Sequence, residues 1–263
     1  MNKYLLTLKL TWGTFLTYRT SVIMWRLRNF LSSIMSLTVW FVIFEQQGTV
    51  FNYQRSEMIT YIFLISILQS FILATSLNGL AGNIYSGNIS FELLKPVNLF
   101  AYLGIQDVAD KITNIVFVLG ESFLLYLIFQ PVLQLPSLVN SLIFVVWIGL
   151  GILLNFFISL LFGAIGFWSP DAWGPKFLFF MLVDLTAGKL YPLDILPEFI
   201  QKAVYLTPFP YLSYAQVQIF LERLSPQQII LNSLALIGWL IILGTMTIII
   251  WRKGMRDYTA AGQ

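Results

Sequence analysis

Long apolar runs, separated by short clusters of proline, glycine and charge, set the pattern of this chain. A helix crossing the bilayer needs about 20 mostly apolar residues. Barrel strands would instead alternate polar and apolar positions over about 10 residues, and the runs here are continuous. Residues 21–44 read as a first span. Arg26 and Arg28 near its start are expected to snorkel to the interface or face protein. A second span lies within 58–82 and exits at Asn78-Gly79 and Gly82-Asn83. A third runs over 112–129 and contains Glu121. From 122 to 170 the chain is uncharged, too long for one helix, and Pro131 and Pro136 divide it. The fourth span is then 138–167. A tight loop, 169–175, precedes a short fifth span at 176–186 that continues weakly to Tyr191. The last is 229–251.

Two stretches read differently. Residues 192–223 are apolar but carry Pro192, Pro197, Pro208 and Pro210, which argue against one regular helix. Short helices dipping into the membrane surface, or re-entering it, fit that pattern; an amphipathic outer loop is the plainer alternative. In residues 1–20, Leu5, Leu8, Trp12 and Phe15 share a helical face opposite Lys3, Thr7, Thr14 and Thr17. That pattern suits a helix lying in the interface rather than a cleaved signal peptide. The expected architecture is an all-α integral membrane protein: an interfacial helix over 1–20, then a six-span domain over 21–263.

Composition sharpens this picture. The chain of 263 residues is 58% apolar and only 10% charged, against about 25% charged in soluble domains. There is no Cys and no His, which removes disulfides, thiolate and imidazole chemistry and the common zinc sites. The formal charge of +3 is spread over span ends, so orientation accounts for it and nucleic-acid binding is not called for. Six spans put both termini on one side, and the flanks on that side hold eleven Lys and Arg against four on the other. The positive-inside rule then places both termini in the cytoplasm. No internal repeat of an inverted carrier is visible. The Gly188-Lys189 pair lacks the Ser or Thr of a Walker sequence, having Leu190, and Val183 stands where its first glycine belongs. The chain reads as a non-enzyme without a cofactor; any ATP and Mg would be bound by a partner.

Three constellations remain. The loop 83–103 has Gly87 for a sharp turn, Asn88 or Ser90 as a helix cap, and Pro96 as a stop. Phe91, Leu93 and Leu94, rimmed by Glu92 and Lys95, would be exposed on so short an element. They read as a docking knob or as a helix packed on the bilayer. Glu121 and Asp184 are intramembrane acids, hence candidates for an ion site or a substrate path; a hydrogen-bonded acid near a helix end is the structural alternative. The aromatic and proline-rich outer segment could form a gate or an interfacial cap.

Together these segments resemble the ABC-2 type permeases, the membrane subunits of ATP-binding-cassette exporters. More narrowly, the chain looks like the bacterial branch often found beside a daunorubicin-resistance-like ATPase. Residues 87–96, Tyr191-Pro-Leu-Asp-Ile-Leu-Pro197, Pro208-Phe-Pro-Tyr211 and Trp251-Arg-Lys-Gly254 with Tyr258 carry the resemblance, which covers essentially the whole chain. It implies a coupling helix at Gly87, Asn88, Phe91, Glu92, Leu93, Lys95 and Pro96 that meets a separate ATPase subunit. It also implies an outer re-entrant region, a homodimer or a pair with a related permease, and a place in the bacterial inner membrane. The implied cargo is a drug, toxin, lipid or glycolipid. The competing expectation is an ion-coupled carrier or channel using Glu121 and Asp184.

Overall fold

The structure is a computed structural model that describes residues 19–46 and 48–258. The interfacial helix expected over 1–20 falls outside the described residues, save for 19 and 20, which already belong to the first helix. Among the described residues, five helices are long and apolar enough to cross a membrane. They are α1 (Arg19–Gln46), α2 (Arg55–Ile72), α5 (Leu99–Phe129), α6 (Leu138–Ala164) and α10 (Pro226–Asp257). Short helices fill the connections: α3 (Leu80–Tyr85), α4 (Ile89–Leu93), α7 (Trp173–Thr186), α8 (Glu198–Tyr205) and α9 (Tyr214–Phe220). Helix α7, expected as the fifth span, has 14 residues and so reaches about 21 Å at about 1.5 Å per residue.

The long helices begin where the sequence supplies caps. Asn98, Ser137 and Ser225 each accept a hydrogen bond from a backbone N–H in the first turn of α5, α6 and α10. Pro226 follows Ser225 at the first helical position, and the Gln228 side chain returns a bond from the Ser225 N–H at 2.8 Å. Before α2 the Gln54 N–H donates to Glu57 at 2.9 Å. Glu222, whose φ is +57°, accepts from the Ser137 N–H at 2.6 Å and from Asn140 at 3.0 Å. These bonds hold its carboxyl down at about 2 and join the start of α10 to that of α6.

Helix α2 is the centre of the bundle. Of its most apolar window 56% is buried, against 17 to 28% in the other long helices. It packs on α1, α5, α6 and α9, and Tyr61, Ile62, Ile65, Leu68 and Ile72 form the middle of the main core. Ahead of it a hairpin pairs Thr49 with Gln54 and Val50 with Tyr53. Its turn residues Phe51 and Asn52 both have positive φ, +52° and +61°, the primed-turn geometry that suits a hairpin. No Gly marks that turn, which is why the pattern alone did not locate it.

A second core lies at the end of the bundle that carries α3 and α4. Leu80, Ile84 and Ile89 meet Leu160, Phe167 and Trp251 there. Close approach depends on glycine. A Cβ on Gly166 would overlap the backbone carbonyl of Ala81, one on Gly163 would crowd Leu80, and one on Gly254 would overlap the Phe167 ring. Gly166→Ala forces backbone apart, so it should cost about 1–3 kcal/mol. A lower thermal unfolding midpoint in detergent is the expected result, with Gly149→Ala, which meets nothing within 4 Å, as the silent control.

Candidate functional site

An exposed apolar feature outside the long helices is α4 with the residue that follows it. Gly87 turns the chain with φ +79°, a conformation that other residues adopt only with strain. Ile89 is then buried at 1% exposure, while Phe91 and Leu94 stand out at 69% and 82%. Asn88 does not act as the expected cap: its side chain makes no capping bond, and the Ser90 hydroxyl donates to the Gly87 carbonyl. Lys95 donates to Glu92 at 2.5 Å and to the Tyr102 hydroxyl at 2.9 Å, with its ammonium 4.3 Å from the Tyr102 ring centre. Exposed pairs of this kind contribute about 1 kcal/mol at most. The element is therefore held mainly by Ile89 in the second core and by Tyr258, whose hydroxyl donates to the Gly87 carbonyl at 2.9 Å. Leu93, at 39%, borders the exposed pair, and Pro96 lies between α4 and α5.

The two acids expected within the membrane are both paired. Arg26, 5% exposed, donates to Ser70 at 2.9 Å and reaches Glu121 at 3.5 Å. Asp184 takes a 2.8 Å bond from Lys189 near the end of α7, with both side chains more than a third exposed. A polar stripe along α5 went unread, because the third span was expected to start at 112 whereas the helix begins at Leu99. Asp107, Asp110, Lys111, Asn114 and Glu121 recur at helical spacing on its protein-facing side. Lys111, counted as a flanking charge, is buried. Its ammonium donates to the carbonyl of Ile72 at 2.7 Å and to that of Ala74, and lies 4.0 Å from Asp107. Asn114 donates to the Asp110 carboxylate at 2.9 Å. Extending the spacing back from Glu121 would have found the stripe.

At the opposite end the proline-rich segment folds into two 3-10 turns with α8 and α9. Tyr53 donates to Asp194 at 2.9 Å and accepts from Gln218 at 2.7 Å. Burial, then the charge of Asp194, push its hydroxyl well above the ordinary range, so it stays a donor. Arg223 joins the knot, 3.8 Å from the Tyr53 ring centre and within ion-pair distance of Asp194 and Glu57. Gly188, with φ +81°, lets its carbonyl accept from Tyr61 at 2.5 Å. Among the described residues no group of three or more acids is placed to hold a metal ion.

The model of the family described as "ABC-2 family transporter protein" matches residues 30–262. The chain belongs to that family. A search of the curated proteins found no match. As an ABC-2 transporter protein it is a multi-pass membrane component of a kind that works with ATPase subunits in ABC transporters. In this ABC-2 chain the exposed knob, the paired acids and the Tyr53 knot are three separate places.

The Arg26–Glu121 pair gives an asymmetric prediction. A carboxylate left alone can neutralise itself by taking a proton, whereas a guanidinium stays charged. Glu121→Leu strands a buried guanidinium, so it should lower the unfolding midpoint in detergent more than Arg26→Leu does. Breaking such a pair costs about 3–5 kcal/mol, and the double substitution should recover part of it.

Proposed function

We propose that this chain is the permease subunit of an ABC exporter, and that α4 is the surface on which a separate ATPase subunit acts. The observation that carries this reading is the exposed Phe91 and Leu94 on an element fixed to α6 and α10. A push on that knob is passed to two long helices through packed contacts rather than through a flexible loop. Gly87, Asn88, Glu92, Leu93, Lys95 and Pro96 shape and rim the contact. The ATPase partner supplies ATP and Mg; this chain supplies the path.

In this reading α7 crosses as a short fifth span, which brings the total to six, the bilayer thins around it, and the Asp184–Lys189 pair sits at the outer interface. Both termini lie in the cytoplasm and the membrane is the bacterial inner one. A second permease, identical or related, completes the assembly. The proline-rich segment between Pro192 and Arg223 dips into the outer leaflet as re-entrant helices. The cargo is hydrophobic or amphipathic, in keeping with an apolar interior that offers few discriminating polar groups. The ion-coupled carrier is disfavoured by the pairing of Glu121 with Arg26 and of Asp184 with Lys189, since each acid already has its counter-charge.

Docking on Phe91 and Leu94 is tested by co-purification with the cognate ATPase. Truncating an interface anchor costs about 2 kcal/mol or more, about thirtyfold in affinity. Phe91→Ala with Leu94→Ala should therefore release the ATPase while the permease keeps its elution volume and unfolding midpoint. Full retention of the ATPase by the double variant would remove the docking assignment.

A further inference from the structure

A crevice opens between α6, the start of α7 and the chain that follows α2. Its closed part is small, about 10 Å³, room for about one water-sized group, and the rest is open mouth. Its polar lining comes from Asn155 and Ser159, one turn apart on α6, and from Thr75, Asn78 and Lys176. The closed part therefore accepts a single oxygen of a headgroup, and the rest of the amphiphile stays at the mouth.

Two observations give the chemistry of the occupant. Lys176 donates to the Asn78 carbonyl at 2.6 Å, yet among the described residues it makes no ion pair. Asn155 is 3% exposed and its amide nitrogen has no hydrogen-bond partner. A buried donor without an acceptor is costly, and a half-buried cation without a counter-charge is free to meet an anion. One anionic oxygen ligand would satisfy both. The wall says where that ligand comes from. Phe180 lines the crevice and is 42% exposed on the outside of α7, beside exposed Phe177 and Met181. The mouth therefore opens onto an apolar flank that faces lipid, and Trp173 stacks on Phe177 at its edge, 5.2 Å between ring centres.

We propose that this crevice is a binding site for an anionic phospholipid drawn from the leaflet on the side of α3 and α4. Lys176 meets the phosphate charge, Asn155 donates to a phosphate oxygen, and an acyl chain runs along Phe177 and Phe180. The site depends on the chain lying in a bilayer and not on the export reading, so the two stand or fall separately.

The test is native mass spectrometry of the full chain, delipidated in mild detergent and titrated with phosphatidylglycerol, phosphatidylcholine or inorganic phosphate. Phosphatidylglycerol should bind to the parent chain. Lys176→Gln should weaken it by about tenfold or more, as expected for loss of a charge-assisted bond, and Asn155→Leu should also weaken it. Lys176→Arg should retain it, which separates loss of the site from loss of the fold. Lys202→Gln, an exposed cation on α8, should change nothing. Equal binding to Lys176→Gln and the parent would overturn the proposal. So would equal binding of the two lipids, or saturation of the same site by inorganic phosphate alone.

Discussion

The structure depends on how α2 ends. Its last carbonyls lie inside the protein, where water is scarce and an orphaned backbone acceptor is costly. The chain must nevertheless leave the helix at Leu73, turn through Ala74 and Thr75, and build α3 and α4. Lys111 makes this possible by donating to the carbonyls of Ile72 and Ala74. A cation at a helix carboxyl end is also favoured by the helix dipole. Asp107 beside it offsets the buried charge. Because Lys111 belongs to α5, the same bond fixes α5 against the break in α2 and so sets where the exposed α4 can lie.

Contact without slack links that knob to the rest of the bundle. At the α3–α4 end, glycine removes the side chains that would hold backbones apart, and Ala81 sits directly on Gly166. Trp251 donates to the Leu160 carbonyl at 3.1 Å and its ring meets Phe167 edge-on. At the opposite end polar groups do the same work: Tyr53, Asp194, Gln218 and Arg223 join the hairpin to the segments that precede α10. A close-packed interior transmits displacement instead of absorbing it. The bundle is thus held stiffly at both ends, and the shorter α7 is lightly engaged, with Phe179 and Val183 as its buried residues.

What the sequence disclosed follows the range of each interaction. The fourth span and the start of the last were located to within a few residues, because those apolar runs begin at local caps, Ser137 and Ser225-Pro226. The knob was legible too, since an exposed apolar triplet after Gly87 is a local feature. The beginning of α5 was placed too late because its first turns carry Asp107, Asp110 and Lys111, charges that read as a loop until their partners are known. Those partners are distant: Arg26 and Glu121 are 95 positions apart, and Tyr53 and Gln218 are 165 apart. No period in the chain encodes such pairings. The hairpin was missed for the opposite reason, a local one, since Phe51 and Asn52 adopt positive φ without glycine.

The charged residues inside the bundle can be weighed on energetic grounds. A charge at the centre of a bilayer costs about 2.5–3.5 kcal/mol even on the mildest scales. A chain that kept Arg26, Asp107, Asp110, Lys111 and Glu121 only for a moving ion would need one of them open to a water-filled path. The arrangement instead pairs each of them from within: Arg26 with Ser70 and Glu121, Lys111 with the end of α2 and Asp107, Asp110 with Asn114, leaving only Nε and Nη2 of Arg26 and Oδ1 of Asp107 buried without a hydrogen bond. Removing either partner of such a set leaves the other stranded, which makes the set a fastening between α1, α2 and α5. A transporter driven by a separate motor requires fastenings of this kind, because force applied at one element must arrive at another with the helices still in register.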